Sequence, residues 1–345
     1  MGDKNFYYIN EVENLLPILS QFGLFLEEDY EKLINNSIIP INFSPSTHKT
    51  SRKIVLIGSD NTPLLVSKSI FLALQLSGAE TLDIKPSSLD EALLAENIIK
   101  NNNTNHIKTT VHVGTDIEVE LSTSWRDVVE NATDIVVFGN YQIIEYYKTL
   151  ENEHRRVHLH EDKISFGVIN SNNITDTLID NLCLDFFNFY GVGTLSPKFY
   201  ITIGEMSLDV LKEIDKTYTL VYGEQVEEFR SKLNIIQRTN LMRFSSHDKA
   251  FGYINLAKNV VELQLNDLFG DIKILSVKSI KDVDKLISVL HDNISTISVN
   301  PVDTEILSVV ESNIPPRICD IGTMHSLGFW ESMDNLSDFD VYNNY

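Results

Sequence analysis

The sequence predicts an α/β protein in which parallel strands alternate with helices. Short apolar runs at 53–58, 81–86 and 134–138 have the length and composition of buried strands. Segments with helical periodicity follow the first two of them, over 64–76 and 88–100. Because a strand–helix–strand order requires crossover connections, these elements should form one parallel sheet.

The second half of the chain repeats this alternation. Residues 199–300 contain predicted helices at 207–218 and 223–230 and predicted strands at 260–265 and 272–277. With 345 residues, the chain is long enough for two domains. We therefore expect a second α/β unit after the first.

The two ends of the chain are predicted to be less regular. Apolar residues at helical spacing from Ile9 to Leu26 indicate a helix, and the Asn-, Ser-, Pro- and Thr-rich residues 36–50 indicate a loop. The tail from Pro315 is predicted to be irregular and to end in a disordered acidic stretch, 335–345.

Composition narrows the classes of function. A formal net charge of −21 argues against a general nucleic-acid role, because a negative surface repels phosphate backbones. The sequence contains no apolar run of the roughly 20 residues that span a bilayer. The first residues lack the basic start and apolar core of a signal peptide, and Cys183 and Cys319 form neither a disulfide framework nor a zinc motif. A reduced, cytoplasmic protein is expected.

One charged segment contains three closely spaced histidines, His154, His158 and His160, next to Arg155 and Arg156. A His-x-His pair on a strand would place both rings on one face. The charge-rich setting favours a solvated surface over a metal site, so we predict no metal.

A glycine-rich turn is the first candidate for a reactive site. Gly191 and Gly193 follow an apolar helical run, and they permit positive φ angles and close backbone approach. Thr194 follows directly, where a side chain and its own N–H could both face a ligand. If a continuous helix joined them, Cys183 would lie about 16 Å from Thr194, and a cysteine in an apolar helical run is interpreted as an inert core residue. Cys319 is interpreted as structural.

Four segments carry motifs that occur together in one known family. They are Lys53–Asp90 with its Asn61-Thr62-Pro63 turn, Ser77-Gly78 and Lys85-Pro86-Ser87-Ser88; Ala132–Leu150 with Phe138-Gly139-Asn140; the glycine turn within Asp185–Lys198; and Arg317-Ile318, Ile321-Gly322 and Trp330. In this order they resemble the acyl-CoA reductases typified by the fatty acyl reductase of bacterial bioluminescence (LuxC), in the aldehyde dehydrogenase superfamily. The resemblance spans residues 50–335 in scattered blocks.

The resemblance implies an aldehyde-dehydrogenase-like fold, with two Rossmann-type α/β domains and a ligand cleft between them. The dinucleotide-binding-like domain would comprise residues 1–170 and 312–345, including the N-terminal helical segment. The catalytic-type, thioester-site domain would comprise residues 171–311.

The resemblance also implies a cofactor site for NADPH. Lys85 would contact the ribose or the 2′-phosphate, and Ser87 follows it in the same motif. Gly139 would pass close to the cofactor, and Asn140 stands beside it in the turn.

The expected catalytic position departs from the family pattern. The family's acylated cysteine is replaced by Thr194, and Asp60 replaces a glycine of the turn. Asn61 would donate a hydrogen bond to the thioester oxyanion, together with the N–H of residue 194. An unactivated hydroxyl supplies no counterpart to a thiolate near neutral pH.

Three functions follow from this departure and stay open at the level of the sequence. The chain could reduce acyl-CoA or acyl-carrier-protein thioesters to aldehydes. It could instead be a catalytically inactive homologue that binds cofactor, acyl thioester or a partner enzyme of a biosynthetic pathway. An acyltransferase role rests on the hydroxyl alone. A homo-oligomer is also left open.

Overall fold

The computed structural model describes most of the chain and resolves it into two compact units. The described residues are 6–7, 38–39, 49–58, 63–102, 107–114, 122–139, 141–161, 163–187, 195–232, 247–267, 273–325 and 341–342. The first unit comprises 1–162 and 326–345, and the second comprises 163–325.

Strands and helices alternate through both units. The described strands are β1 (Phe6–Tyr7), β2 (Ile38–Ile39), β3 (Lys53–Ile57), β4 (Thr81–Lys85), β5 (Lys108–Val111), β6 (Asp134–Gly139), β7 (Arg156–Glu161), β8 (Ile164–Asn170), β9 (Pro197–Ile203), β10 (Leu263–Asp267), β11 (Lys273–Val277), β12 (Ile294–Val299) and β13 (Arg317–Asp320). The described helices are α1 (Pro63–Leu76), α2 (Leu89–Asn102), α3 (Thr123–Asn131), α4 (Tyr141–Lys148), α5 (Asp176–Phe187), α6 (Leu208–Lys232), α7 (His247–Val260), α8 (Ile280–Leu290) and α9 (Thr304–Ser312).

The first unit contains a five-stranded parallel sheet in the order β5-β4-β3-β6-β7. Its central strand, β3, is the first of the five in sequence, so the strand order reverses between β3 and β6. One face packs against α3 and α4 in a cluster that includes Val55, Val137, Trp125 and Ile144. Fully burying such a side chain contributes about 1.5–3 kcal/mol, which explains why these apolar runs form interior strands.

The second unit contains a six-stranded sheet in the order β10-β11-β9-β8-β12-β13. All neighbouring pairs are parallel except β10 and β11. Its main core joins Phe166 and Ile201 of the sheet to Ile254, Leu286 and Val310 of helices α7, α8 and α9. The parallel strands thus repeat the order of the first sheet, and the predicted α/β class is confirmed.

Several predicted elements have different bounds. The predicted helices 207–218 and 223–230 form one helix, α6, because Gly223 costs only about 1 kcal/mol inside a helix and does not end it. The predicted strand 260–265 begins at Leu263, since α7 continues to Val260. The sequence also predicts a strand over 115–121, and these residues lie outside the described ones.

The second unit extends one strand further at each end than the predicted second domain, 171–311. β8, which the boundary after residue 170 assigns to the first domain, is hydrogen-bonded to β9 and β12 in the second sheet. β13, which the predicted tail from 312 assigns to the first domain, pairs with β12. The tail from Pro315 is therefore not irregular at its start.

Most of the N-terminal segment, including the predicted helix from Ile9 to Leu26, lies outside the described residues. At the other end, Val341 and Tyr342 are helical and almost completely buried. The disorder predicted for 335–345 is therefore wrong for Val341 and Tyr342, because both residues have specific partners in the first unit.

An ion-pair network at the amino edge of the first sheet holds these two residues. Arg52 forms a bidentate contact with Asp134, with both N···O distances 3.0 Å. Its remaining donors reach the carbonyl oxygens of Tyr342 and Val341, each at 3.0 Å. Arg156 lies 2.8 Å from the same carboxylate. Arg52 therefore connects the C-terminal residues to β6.

Asp134 is kept ionised by these neighbours. Burial alone would raise its pKa, but His158, Arg52 and Thr133 together hold the pKa well below its usual value. The His158 Nε2 atom lies 3.7 Å from Asp134 Oδ1, which is an ion-pair distance rather than a hydrogen bond.

Replacing Asp134 by Asn should destabilise the first unit. The change leaves a partly buried Arg52 guanidinium without its carboxylate, and breaking a buried pair from one side costs about 3–5 kcal/mol. Urea unfolding at neutral pH measures the loss. A matched control is Lys148→Met, which removes an exposed pair with Glu145 and should change stability by at most about 0.5 kcal/mol. Equal stabilities of the two variants would contradict the role given to Asp134.

Candidate functional site

The carboxyl edge of the first sheet gathers several of the predicted site residues. In open α/β sheets, ligands bind outside the carboxyl ends of the strands, where the strand order reverses. Here Gly58 follows β3, Lys85 ends β4 and Gly139 ends β6. The N–H of Gly58 donates to the carbonyl oxygen of Lys85 at 2.9 Å, so the ends of β3 and β4 are joined. Lys85 is only 4% exposed.

The turn between β4 and α2 is organised by a buried glutamate that sequence reasoning did not single out as a site residue. Glu91 Oε2 accepts from the N–H of Ser87 at 2.6 Å and from its hydroxyl at 2.8 Å. The N–H of Glu91 in turn contacts Ser88 Oγ at 3.2 Å, so Ser88 caps α2. The carboxylate is almost completely buried.

Both glycines of this edge are required by their neighbours. A Cβ atom at Gly58 would lie 2.4–2.6 Å from the carboxylate atoms of Glu91. A Cβ atom at Gly139 would lie 2.9 Å from Ile143 Cγ2, on the helix that follows β6. Side chains other than hydrogen would therefore displace Glu91 or Ile143.

Three predicted site residues, Asn61, Asn140 and Thr194, lie outside the described residues. The chain after Thr194 is described from Leu195, and Leu195 and Ser196 are both buried where β9 begins. Burial of Leu195 and Ser196 anchors the chain directly after the predicted catalytic position.

A cluster around Asp185 in the second unit was not predicted from the sequence. The Asp185 carboxylate accepts from the N–H of Gly322 at 2.6 Å and from that of Met324 at 3.0 Å. The carbonyl oxygen of Asp185 lies 3.0 Å from His325 Nε2. The one available signal was a carboxylate within the apolar run Leu182–Phe187, where a charge is costly unless it is hydrogen-bonded.

His325 also contacts Ser196, two residues after Thr194. Ser196 Oγ lies 3.4 Å from the same Nε2 atom. A carbonyl oxygen only accepts hydrogen bonds, so we assign the ring proton to Nε2, facing Asp185. Nε2 then has no lone pair with which to take a proton from Ser196. The pair anchors the start of β9 and does not activate a serine nucleophile.

Burial lowers the pKa of His325 to about 3, and the charges of Arg317 and Lys198 act in the same direction. The hydrogen bond to the backbone of Asp185 opposes this shift but does not cancel it. The imidazole is therefore neutral throughout the physiological range.

Cys183 does not have the surroundings of a reactive thiol. Cys183 is completely buried, and its Sγ lies 3.7 Å from the carbonyl oxygen of Ile214. Burial, assisted by the charges of Asp180 and Asp215, raises the pKa of this thiol to about 12. Cys183 is thus an inert core residue, as predicted. Cys319 lies on β13 and is partly exposed.

The two histidines of β7, His158 and His160, are not on a solvated face, so that interpretation was wrong for them, whereas His154 is exposed as predicted. His160 is 3% exposed and stacks on Phe138 with ring centroids 4.2 Å apart. His158 lies beside the buried carboxylate of Asp134. His160 stacks on Phe138 because these two residues are cross-strand partners, and His158 is only partly buried. Within the described ranges, no group of three or more His, Cys, Asp or Glu side chains is placed to hold a metal.

The two sheets together define an aldehyde dehydrogenase fold. One similar structure is proline utilization A from Bdellovibrio bacteriovorus inactivated by N-propargylglycine, with TM-score 0.51, 12% identity and coverage of 84% of this chain and 34% of that one. This chain therefore spans about a third of that protein's length. A protein described as a methylmalonate-semialdehyde dehydrogenase from Sinorhizobium meliloti, complexed with NAD, gives TM-score 0.51, 10% identity and coverage of 93% and 81%. An engineered glycolyl-CoA reductase with bound NADP⁺ gives TM-score 0.50, 11% identity and coverage of 91% and 79%.

The sequence itself assigns the family. The chain belongs to the acyl-CoA reductase (LuxC) family, whose pattern it matches over residues 43–341. No curated protein sequence matches the chain. Among the helices of the described ranges, none combines the length and apolarity needed to cross a membrane.

The buried His325 should make the protein less stable in mild acid. Its folded pKa lies below the ordinary value of 6.5, so between these values the unfolded chain binds a proton that the native state excludes. The contribution of neutral His325 to the free energy of unfolding is complete above about pH 6.5. Below that pH, it falls by about 1.4 kcal/mol per pH unit towards pH 3. His325→Gln keeps an Nε2 donor without this titration. Between pH 7.5 and 5.0, the variant should lose about 2 kcal/mol less of its free energy of unfolding than the wild type.

The matched control is His291→Gln, which removes an exposed imidazole instead of a buried one. Urea unfolding at pH 7.5 and 5.0 measures the free energy of unfolding of the wild type and both variants. If His325→Gln and the wild type lose stability equally, His325 is not buried in its neutral form.

Proposed function

We propose that this chain binds a nicotinamide dinucleotide and an acyl thioester, and that Thr194 deprives it of the covalent step of thioester reduction. The cofactor part rests on one observation: Lys85, Ser87 and Gly139 lie at the carboxyl edge of a sheet whose order reverses between β3 and β6. The catalytic part rests on the chemistry available at and around residue 194.

The residues at this edge fit a dinucleotide in their chemistry. The Lys85 ammonium suits phosphate or ribose oxygens, and the exposed Ser87 hydroxyl has lone pairs that suit a ribose hydroxyl. Gly58 and Gly139 bring two strand ends to the edge without side chains. By family resemblance, the cofactor is NADPH, with Lys85 as the partner of its 2′-phosphate. When bound, the cofactor would supply the hydride that reduces an acyl group.

The missing thiolate is the main chemical argument against ordinary reductase activity. In the family reaction, a thiolate displaces the CoA thiol to form an enzyme thioester, and hydride transfer then releases aldehyde and restores the thiolate. A threonine hydroxyl is almost completely protonated near neutral pH, and its β-methyl group restricts χ1. Cys183 is buried with a raised pKa, and the hydrogen bond from His325 does not activate Ser196.

The substrate side of the proposal follows the family. The acyl donor would be an acyl-CoA or acyl-carrier-protein thioester, and Asn61 with the N–H of residue 194 would bind its oxyanion. Such a chain can hold an acyl group or deliver it to a partner enzyme without reducing it. A homo-oligomer is compatible with this role.

A second candidate is an active reductase. It would transfer hydride directly to the bound thioester, or use Thr194 as an unusual nucleophile. The presence of Lys85, Ser87 and Gly139 at the carboxyl edge supports this candidate. An acyltransferase would need Thr194 to carry the acyl group as an ester, and no described contact favours that role.

Replacing Thr194 by Cys should create or restore reductase activity. Because a catalytic nucleophile contributes several orders of magnitude, the rate of NADPH oxidation with acyl-CoA thioesters should rise at least about 100-fold. Thr194→Ser is the matched control, since it removes the methyl group but supplies no thiol, and it should stay at the wild-type rate. Absorbance of the reduced cofactor measures the rate across acyl chains of different length, on CoA and on carrier protein.

A measurable wild-type rate as high as that of Thr194→Cys would overturn the proposal and favour the active reductase. Calorimetry with NADPH and NADH tests the cofactor part separately. If the wild type binds neither, the chain has kept the fold without the cofactor site.

Lys85→Met should weaken NADPH binding by at least about tenfold, because a charge-assisted contact to the 2′-phosphate is lost. NADH lacks that phosphate, so its affinity should fall less. Calorimetric titration of both cofactors measures the two affinities, with thermal unfolding as a check on the variant's fold. Equal losses for the two cofactors would place Lys85 away from the 2′-phosphate.

A further inference from the structure

We propose that Glu91 is a specificity-determining residue, which takes both hydrogen-bond donors of Ser87 and so reduces the preference of the β4–α2 turn for NADPH over NADH. The inference rests on the proposed function, because it concerns the same cofactor edge. It assigns a role to a buried carboxylate that is not among the motif residues named in the sequence analysis.

The geometry leaves Ser87 no donor for a ligand. The residue has one N–H and one O–H, and both point to Glu91 Oε2, at 2.6 and 2.8 Å. The hydroxyl oxygen still has lone pairs, and Ser87 is exposed at the turn. It can therefore accept a hydrogen bond from a ribose hydroxyl. A 2′-phosphate near neutral pH offers oxygens that need donors, and Ser87 has none to offer while Glu91 holds both.

The charge of Glu91 acts in the same direction. A carboxylate next to Ser87 repels a phosphate dianion and tolerates a neutral hydroxyl. The contact of a 2′-phosphate with this turn is then left to Lys85, at the end of β4. We therefore expect the wild-type chain to bind NADPH and NADH with affinities within about tenfold of each other.

The position of the carboxylate is fixed from its other side by Gly58. A Cβ atom at residue 58 would lie within 2.6 Å of three carboxylate atoms of Glu91. Glu91 is buried and bonded to Ser87, so it cannot move aside without breaking these hydrogen bonds. Gly58→Ala therefore offers a way to displace the carboxylate without removing it.

The test is calorimetric titration of NADPH and NADH into full-length wild type, Glu91→Ala, Ser87→Ala and the double variant. Glu91→Ala frees both donors of Ser87 and removes the negative charge. The Kd ratio should shift towards NADPH by about tenfold, which corresponds to one charge-assisted hydrogen bond. Ser87→Ala alone should leave the ratio unchanged, and in the double variant it should remove most of the gain.

Two further variants cover the case in which Glu91→Ala does not fold. Glu91→Gln keeps a carbonyl acceptor for the Ser87 N–H and removes the charge, so it should give a smaller shift in the same direction. Gly58→Ala should also shift the ratio towards NADPH. Thermal unfolding identifies the variants that are folded.

The outcomes separate this inference from the proposed function. A wild type that binds neither cofactor overturns both. A wild type that binds the cofactors, with a ratio that no folded variant at residues 91 or 58 changes, overturns only the role of Glu91. A gain that persists in full in the double variant shows that charge alone is responsible, and it overturns the route through Ser87.

Discussion

Parallel strand pairing is the constraint on which both units of this protein depend. Parallel neighbours cannot be joined by a tight turn, so each strand is followed by a crossover and all carboxyl ends meet at one edge. In each sheet the first parallel strand lies in the middle, at β3 and at β8, so later strands add on both sides. Residues far apart in sequence, such as Lys85 and Gly139, thereby come to the same edge of one sheet.

Three buried carboxylates hold connections that the sheets alone do not fix. Glu91 holds the turn after β4, Asp134 holds Arg52 and through it the C-terminal residues, and Asp185 holds the turn after β13. A buried charge costs several kcal/mol unless it is paired or hydrogen-bonded, and each of the three has backbone or guanidinium donors. Each carboxylate thus specifies the place of a segment as well as adding to its stability.

The sequence was informative where a local pattern determines the structure. The apolar runs of β3, β4 and β6 follow from composition and spacing, and the order of these strands places the carboxyl edge. It was uninformative where distant residues decide. Asp185 and Gly322 lie 137 positions apart, and only the folded second unit shows that one hydrogen-bonds the other. The same applies to His160, whose burial depends on the strand beside it.

The structure also explains the residues of the last family motif, Arg317-Ile318 and Ile321-Gly322. Arg317 is buried, and its guanidinium donates to the carbonyl oxygens of Met324 and Thr323 at 2.6 and 3.3 Å. Gly322 has φ of +95°, and a Cβ there would meet Asn181 at 2.7 Å, so only glycine fits. The motif therefore builds the turn around Asp185, and it says nothing about catalysis on its own.

This distinction bears on the replaced nucleophile. The residues just after Thr194 are anchored: Ser196 is buried, and His325 links it to the backbone of Asp185. This buried imidazole contact supplies no base, because Nε2 donates to the backbone carbonyl of Asp185. The supports of the site are thus separable from its chemistry. The described residues that follow position 194 thus provide anchoring contacts but no activated nucleophile.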